Sequence, residues 1–553
     1  MLHLIPKLKA LIDRLWNRFW AGGISNPHSA FEQITYLLFM KQIDKLDLKR
    51  QSDAESTGDT FNSRFEGDFY LPQHQARVDA LLAPANNKTT KAKKENKAEL
   101  KQLAIDKKTL RWSYFTKKYV ATDLLEHVQQ KVFPFIKTLN GETSAFTRHM
   151  ANAVFIIPKA ELLSKAIADI EEIYEEIERE HKDDGHLFQD IQGDVYEMLL
   201  SEISSAGKNG QFRTPRHIIK LVSELVNPQL GHRICDPACG TAGFLLEAYQ
   251  YIITQLAIRK AKKGEAFKKD DDGFVRTSVA GLLTQKTKDI LEQGLRGFDI
   301  DTTMVRLGLM NLMMHGIDNP VVDYKDTLSK SFTEEGGYDI IMANPPFTGS
   351  IDKGDINETL KLKTTKTELL FIERIHSLLV TGGTAGIIIP QGVLFGANKA
   401  FVDARKLIIE KSELKAVISL PSGVFKPYAG VATAILVFTK GGKTKHTWFY
   451  NLENDGLSLD DKRQRIKGSE LPDVVEKWNT RDTKKSVGDR QANHFFVPLK
   501  ELKDTKYDLS FNRYAKVEHE ETEYEEPAVI LKKLKYIESK IHVGIEELEG
   551  ILK

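Results

Sequence analysis

The sequence predicts an α/β protein. One doubly wound, mostly parallel sheet of seven strands is preceded by an α-helical N-terminal domain and followed by a C-terminal helix. Three observations predict this. Short apolar runs alternate with helix-period stretches between about residues 230 and 440. Two of those runs stop at abrupt turns, Asp236-Pro237-Ala238-Cys239-Gly240 and Asn344-Pro345-Pro346-Phe347. Both flanks of this region show three-and-four apolar spacing without strand alternation.

Composition sets the outer bounds. The 553 residues are 41% hydrophobic and 28% charged, and the net charge is +2. That describes a globular chain with no global demand for a polyanion. No apolar run reaches the roughly 20 residues of a membrane span. No signal-peptide pattern opens the chain, so a cytoplasmic location is expected. The two cysteines, Cys235 and Cys239, cannot close a zinc site, and no metal is expected.

In chain order, Leu8, Leu11, Ile12, Leu15, Trp16 and Phe19 read as one helix. Phe31, Ile34, Leu37, Leu38 and Ile43 read as another after the Asn26-Pro27 break, with loop over residues 51–66. From Lys88 to Lys118, eleven Lys or Arg stand against three acids. Such a block is ordinarily solvated surface. The interleaved Trp112, Tyr114, Phe115 and Tyr119 also fit a track along a phosphate backbone. Helical periodicity resumes over 122–178, and residues 1–185 form one helical domain.

A second unit is expected over 186–445. It opens with an amphipathic helix over 186–206 and then Gln211-Phe212-Arg213-Thr214-Pro215-Arg216. Thr214 suits a helix cap with Pro215 at the first helical position. Next, a strand ends at Asp236 and a small-residue turn leads to a helix beginning near Ala242. Gly240 and Gly243 permit close backbone approach to a ligand, and the helix N-terminus suits a carboxylate. Residues 259–272 read as exposed loop. A second strand ends in Asp299, placed to bond ribose hydroxyls, while Asp301 reads as the N-cap of the next helix. After a third short strand, Asp326 is either a contact to an adenine amine or an ordinary loop acid.

The fourth strand, Tyr338 to Ala343, is stopped by two prolines, which fix φ and remove two donors. At that corner Asn344 offers a side-chain carbonyl, Pro345 a rigid backbone carbonyl and Phe347 a flat ring. Two acceptors and a ring suit a planar substrate with an exocyclic amine. A helix over 369–379 and three further strands, 384–390, 414–420 and 431–438, complete the sheet. The last two strands form a hairpin, so one member is antiparallel. Between them, Lys426 to Gly430 suits either a base pocket lining or a plain hairpin turn. Residues 446–526 are a C-terminal extension ending in an acidic linker. Residues 527–553 carry near-heptad Ile530, Leu531, Leu534, Ile537, Ile541, Ile545, Leu548 and Ile551, suited to a partner helix.

Asn344-Pro345-Pro346-Phe347 is similar to the catalytic motif of N6-adenine DNA methyltransferases. Asp236, Pro237, Gly240, Thr241, Ala242 and Gly243 resemble the first cofactor motif of S-adenosylmethionine-dependent methyltransferases. Residues 211–216 match a motif that closes over the methionine end of that cofactor. Motif order, chain size and the helical N-terminus resemble the modification (M) subunit of type I restriction–modification systems. The resemblance implies a Rossmann-like methyltransferase fold with S-adenosylmethionine as donor. It implies DNA, a specificity (S) subunit, a second copy of this chain and a restriction (R) subunit as partners. An amino-methyltransferase acting on RNA or protein glutamine is the alternative, and a non-catalytic scaffold a further one.

Overall fold

The computed structural model describes residues 6–86, 89–180, 214–261, 267–277, 283–481, 487–516 and 527–551. Two pairs of residues, β1 (Asp68–Phe69) and β2 (Ile105–Asp106), form a small antiparallel ribbon in the N-terminal domain. Among the described residues the main sheet has nine strands. They are β3 (Ile234–Asp236), β4 (Leu295–Asp299), β5 (Val322–Tyr324), β6 (Tyr338–Ala343), β7 (Leu379–Pro390), β8 (Ser412–Leu420), β9 (Thr433–Lys440), β10 (His446–Asn451) and β11 (His494–Pro498). Their order is β11-β10-β8-β9-β7-β6-β3-β4-β5.

All seven expected strands are present. As the hairpin reading required, β9 runs antiparallel to both β8 and β7. The boundary expected at 445/446 is corrected. β10 pairs parallel to β8 and β11 pairs antiparallel to β10, so the extension completes the same sheet. Their hydrophobic signal was confined to five or six residues separated by a long polar stretch, too little for periodicity to resolve.

Alternate residues of each strand face opposite layers, as the pleat dictates. Ile340 and Met342 join the core shared with helices Arg216–Val226, Gly243–Lys260 and Thr302–Met314. Ile341 and Ala343 face the core built with helices Thr367–Leu378 and Lys399–Glu410. Near-continuous apolar runs in β6 to β9 follow from this burial on both faces.

The N-terminal helices continue the first of these cores without a break. Asn26 caps helix Pro27–Thr57 by accepting from the His28 and Ser29 N–H groups. That helix runs through residues expected to be loop; the turn comes at Gly58, in the left-handed region. Arg306 pairs with Glu32 at 2.6 Å, and Asp318 binds Arg50 at 2.7 Å, Arg64 at 2.6 Å and also Lys288. Burial opposes ionisation of Asp318, but these three cations hold its carboxyl down at about 2. The two domains are therefore joined by apolar packing and ionic contacts.

Two further readings change. Trp112 and Phe115 are core residues of the N-terminal domain, so they do not track a backbone; helix Thr90–Leu103, by contrast, buries none of its residues. The charged insertion is not merely loop: Asp270 and Asp272 accept from buried Lys220 at 2.6 and 2.9 Å. Residues 186–206 lie outside the described residues. Helix Pro527–Ile551 exposes Ile530, Leu534, Ile537, Ile541, Ile545 and Leu548. No described helix is long and apolar enough to cross a membrane.

Candidate active site

Both singled-out turns lie at the carboxyl edge of adjacent parallel strands, β3 and β6. Open α/β sheets place ligands at that edge. That edge carries Asp236, Asp299, Asp326 and Asn344, each at or just after the end of its strand.

The β3 turn is held from several directions. Asp236 accepts from the Ala238 N–H at 3.1 Å. It is 1% exposed, and burial pushes its carboxyl up to about 8, with Asp299 adding to the effect. Gly240 has φ +50 and Ala242 has φ +63, so two left-handed residues bend the chain into helix Gly243–Lys260. No side chain caps that helix. Asp299 accepts the Gly240 N–H at 2.8 Å and the Asp301 N–H at 2.9 Å; burial raises its pKa also. Asn311 donates to the Thr241 carbonyl at 2.8 Å, and Thr327 donates to the Pro237 carbonyl at 3.2 Å. A Cβ on Gly308 would lie 3.1 Å from the Gly240 carbonyl, so the helix beneath supports the turn closely. Sequence reasoning missed Asn311 and Thr327, because each acts through a backbone carbonyl distant in sequence.

The geometry fits S-adenosylmethionine. A Cβ on Gly240 would meet nothing within 4 Å, leaving open space over a turn with an uncapped helix N-terminus and a carboxylate beside it. Asp301 is the N-cap the sequence predicts, accepting from Thr303 at 2.7 Å and Met304 at 3.3 Å. Asp326 accepts the Leu328 N–H at 2.9 Å through one oxygen, which is the ordinary loop role. The Thr214 cap is corrected: helix Arg216–Val226 has Pro215 as N-cap and no side-chain cap bond. Instead, buried His217 lies 2.9 Å from Asp455 in the C-terminal extension, and Asp455 also binds Arg463. Gln211, Phe212 and Arg213 lie outside the described residues.

The β6 corner differs in kind. Among the described residues, Asn344 Oδ1 is buried without a hydrogen-bond partner. Pro345 is buried and Pro346 is exposed. Thr367 and Glu368 open the next helix, and the Thr367 N–H donates to the Gly349 carbonyl at 3.2 Å. Thr367 Oγ1 and Glu368 Oε2 are also buried and unpartnered. An orphaned buried oxygen costs about 1–3 kcal/mol, so an outside donor reaching Asn344 Oδ1 would be favoured. Phe347 is 3% exposed and meets Phe425 edge to face, with centroids 5.3 Å apart. The open stacking face expected at Phe347 is therefore covered by Phe425. That residue, from the β8–β9 hairpin, was missed because it precedes the segment 426–430 singled out there.

Comparison with known proteins places the chain in a family. The N-6 DNA Methylase family profile matches residues 188–523, and the HsdM N-terminal domain profile matches residues 8–170. The EcoEI methylase subunit of a type I restriction enzyme of Escherichia coli is 31% identical over 377 residues, covering 66% of this chain and 70% of that one. The EcoKI methylase subunit of Escherichia coli K12 is 31% identical over 285 residues, covering 48% of this chain and 49% of that one. A crystal structure of a modification subunit assigned to a type I restriction enzyme of Vibrio vulnificus YJ016 superposes with a TM-score of 0.64 at 20% identity. It covers 90% of this chain and 92% of that one. A chain from a structure of type I R-M complex assembly gives 0.60 at 24% identity, covering 99% and 98%.

Proposed function

This chain belongs to the N-6 DNA methylase family, whose members transfer a methyl group from S-adenosylmethionine to adenine N6, and we propose a division of that chemistry among its own residues. When bound, the cofactor supplies an electrophilic methyl on a sulfonium. The Gly240–Gly243 turn and the helix behind it would hold its carboxylate, and Asp299 would receive the ribose hydroxyls. Asp326, one of whose oxygens accepts the Leu328 N–H, would offer its second oxygen to the adenine amine.

On the other side of the edge, the target adenine enters extruded from its duplex, because a buried corner cannot reach a paired base. Asn344 Oδ1 and the Pro345 carbonyl accept the two N6 hydrogens, which concentrates the nitrogen lone pair towards the donor. No base is required beforehand, since the proton leaves after N6 becomes cationic. Positioning and fixed dipoles lower the barrier. Phe347 stacks on the base after its contact with Phe425 opens. The single observation that carries this reading is the buried, unpartnered Asn344 Oδ1 beside the cofactor turn.

The chain assembles with DNA and other restriction–modification subunits, by the family it belongs to. We assign sequence choice to a specificity subunit, met in part by the exposed C-terminal helix, with a second copy of this chain and a restriction subunit completing the complex. The purified chain alone is then expected to methylate DNA poorly. Asn344→Ala tests the core claim: cofactor affinity stays within about twofold while methylation by the complex falls about 10²–10³-fold. Full methylation by that variant overturns it. A tritiated-cofactor screen against DNA, RNA and protein separates the alternative substrates.

A further inference from the structure

One exposed aromatic beside the catalytic corner plays no part in the scheme above. Phe395 ends the short helix Gly392–Phe395, directly after the carboxyl end of β7. Phe395 is 55% exposed, whereas Val393 and Leu394 are buried. The backbone under it is fixed. Buried Arg405 donates through Nη1 to the carbonyls of Val393 at 2.8 Å and Gly396 at 3.0 Å, and through Nε to the Tyr507 carbonyl at 2.7 Å. The Leu509 N–H donates to the Leu394 carbonyl at 2.9 Å, and the Gln391 N–H to the Ala432 carbonyl at 2.9 Å. A phenyl ring held out on so constrained a backbone is a presented group, not a frayed loop.

Contacts join this platform to the corner. A Cβ on Gly396 would lie 2.6 Å from the Phe401 ring. Lys366 Nζ stands 5.5 Å from the centre of that ring. Lys366 bridges to Ser350, three residues beyond Phe347. Since β7 lies on the far side of β6 from β3, Phe395 sits opposite the cofactor turn, where the nucleic acid must approach. Exposed Lys399 in the next helix adds positive charge there.

Extruding a base opens a gap in the stack, and a rigid apolar wedge offsets the lost stacking. We propose that Phe395 packs against the bases left behind when the target adenine is extruded, and so stabilises the opened duplex; this rests on the reading of the Asn344 corner as the N6 pocket.

The test uses the full chain in complex with its specificity subunit. The probe is a duplex carrying the site found by methylome sequencing of cells expressing that complex. One version pairs the target adenine with thymine; another places it opposite an abasic position; a third carries 2-aminopurine at the target. Phe395→Ala is expected to lower methylation of the paired target at least about tenfold and to remove most of the 2-aminopurine fluorescence rise. On the unpaired target it returns to within about threefold of the unaltered complex, with cofactor affinity unchanged, and Phe395→Trp retains activity on both. Paired-target methylation within about twofold for Phe395→Ala, or an equal loss on both targets, overturns the proposal. Asn344→Ala is expected to fail on both targets, so error in the pocket reading is told apart from error in this one.

Discussion

The two sides of the carboxyl edge are built differently. On the β3–β4 side, Asp236, Asp299, Asn311 and Thr327 spend their hydrogen-bonding capacity on the turn itself. On the β6–β7 side, Asn344, Thr367 and Glu368 hold buried oxygens with no partner, and Phe395 holds a ring in the open. Asn311 blurs the contrast slightly, since its Oδ1 is unpartnered although its amide is used. The difference teaches which ligand is met by a finished cradle. A cofactor that binds in every cycle meets a preorganised turn, and ordering costs are met by folding. On the proposed reading, a base that must leave a duplex would meet groups whose partners arrive with it.

Five changes test that contrast. The largest effect is expected at Gly240, where a side chain would enter the open space above the turn. Gly240→Val should weaken cofactor binding about 100-fold or more by calorimetry, while the left-handed conformation costs only about 1–2 kcal/mol of stability. Unaltered binding would show that the cradle is not where the cofactor lies. Asp299→Ala comes next. Losing the tie to the Gly240 N–H should weaken the cofactor roughly 10- to 100-fold, leaving turnover at saturation nearly unchanged.

Asp236 gives a pH signature on the same side. Its carboxyl is raised in the folded chain to about 8, so the folded state holds a proton that the unfolded chain has released above about pH 4. The stability it contributes is thus fully present below pH 4 and is lost as pH rises towards 8. A cofactor whose methionine ammonium bound beside Asp236 would favour the ionised form. Cofactor affinity should therefore rise between pH 6 and 8, by at most about tenfold per unit, with proton release visible in buffers of different ionisation enthalpy. Asp236→Asn should flatten both trends; a flat profile in the unaltered chain contradicts the linkage.

The smallest effects form a matched pair. Thr327→Val removes a used hydroxyl and should cost about 1 kcal/mol, lowering the unfolding midpoint. Thr367→Val removes an unused one and should leave stability equal or slightly higher, because an orphaned oxygen disappears. The same sign in both denaturation curves would erase the distinction between the two sides.

The core of the site was legible because its chemistry is local. A strand ending in Asp236 before a small-residue turn, Asp301 as an N-cap, and a proline-stopped strand before Asn344 are each written in fewer than ten residues. Misreadings came where distant segments meet. Thr214 looked like a cap, yet the helix start is anchored through His217 to Asp455, over 200 residues away. Trp112 and Phe115 looked available, yet the bundle buries them.

By itself, then, the sequence determined the fold class, seven of the strands along the chain and the two turns to which the chemistry is assigned, because period, proline and glycine act on neighbours. Only tertiary structure decided that β10 and β11 complete the sheet, that Asn311 and Thr327 brace the turn, that Phe425 covers Phe347, and that Phe395 stands exposed on a pinned backbone. Burial and hydrogen-bond satisfaction are properties of what surrounds a residue, and those surroundings are assembled from parts of the chain that no local pattern connects.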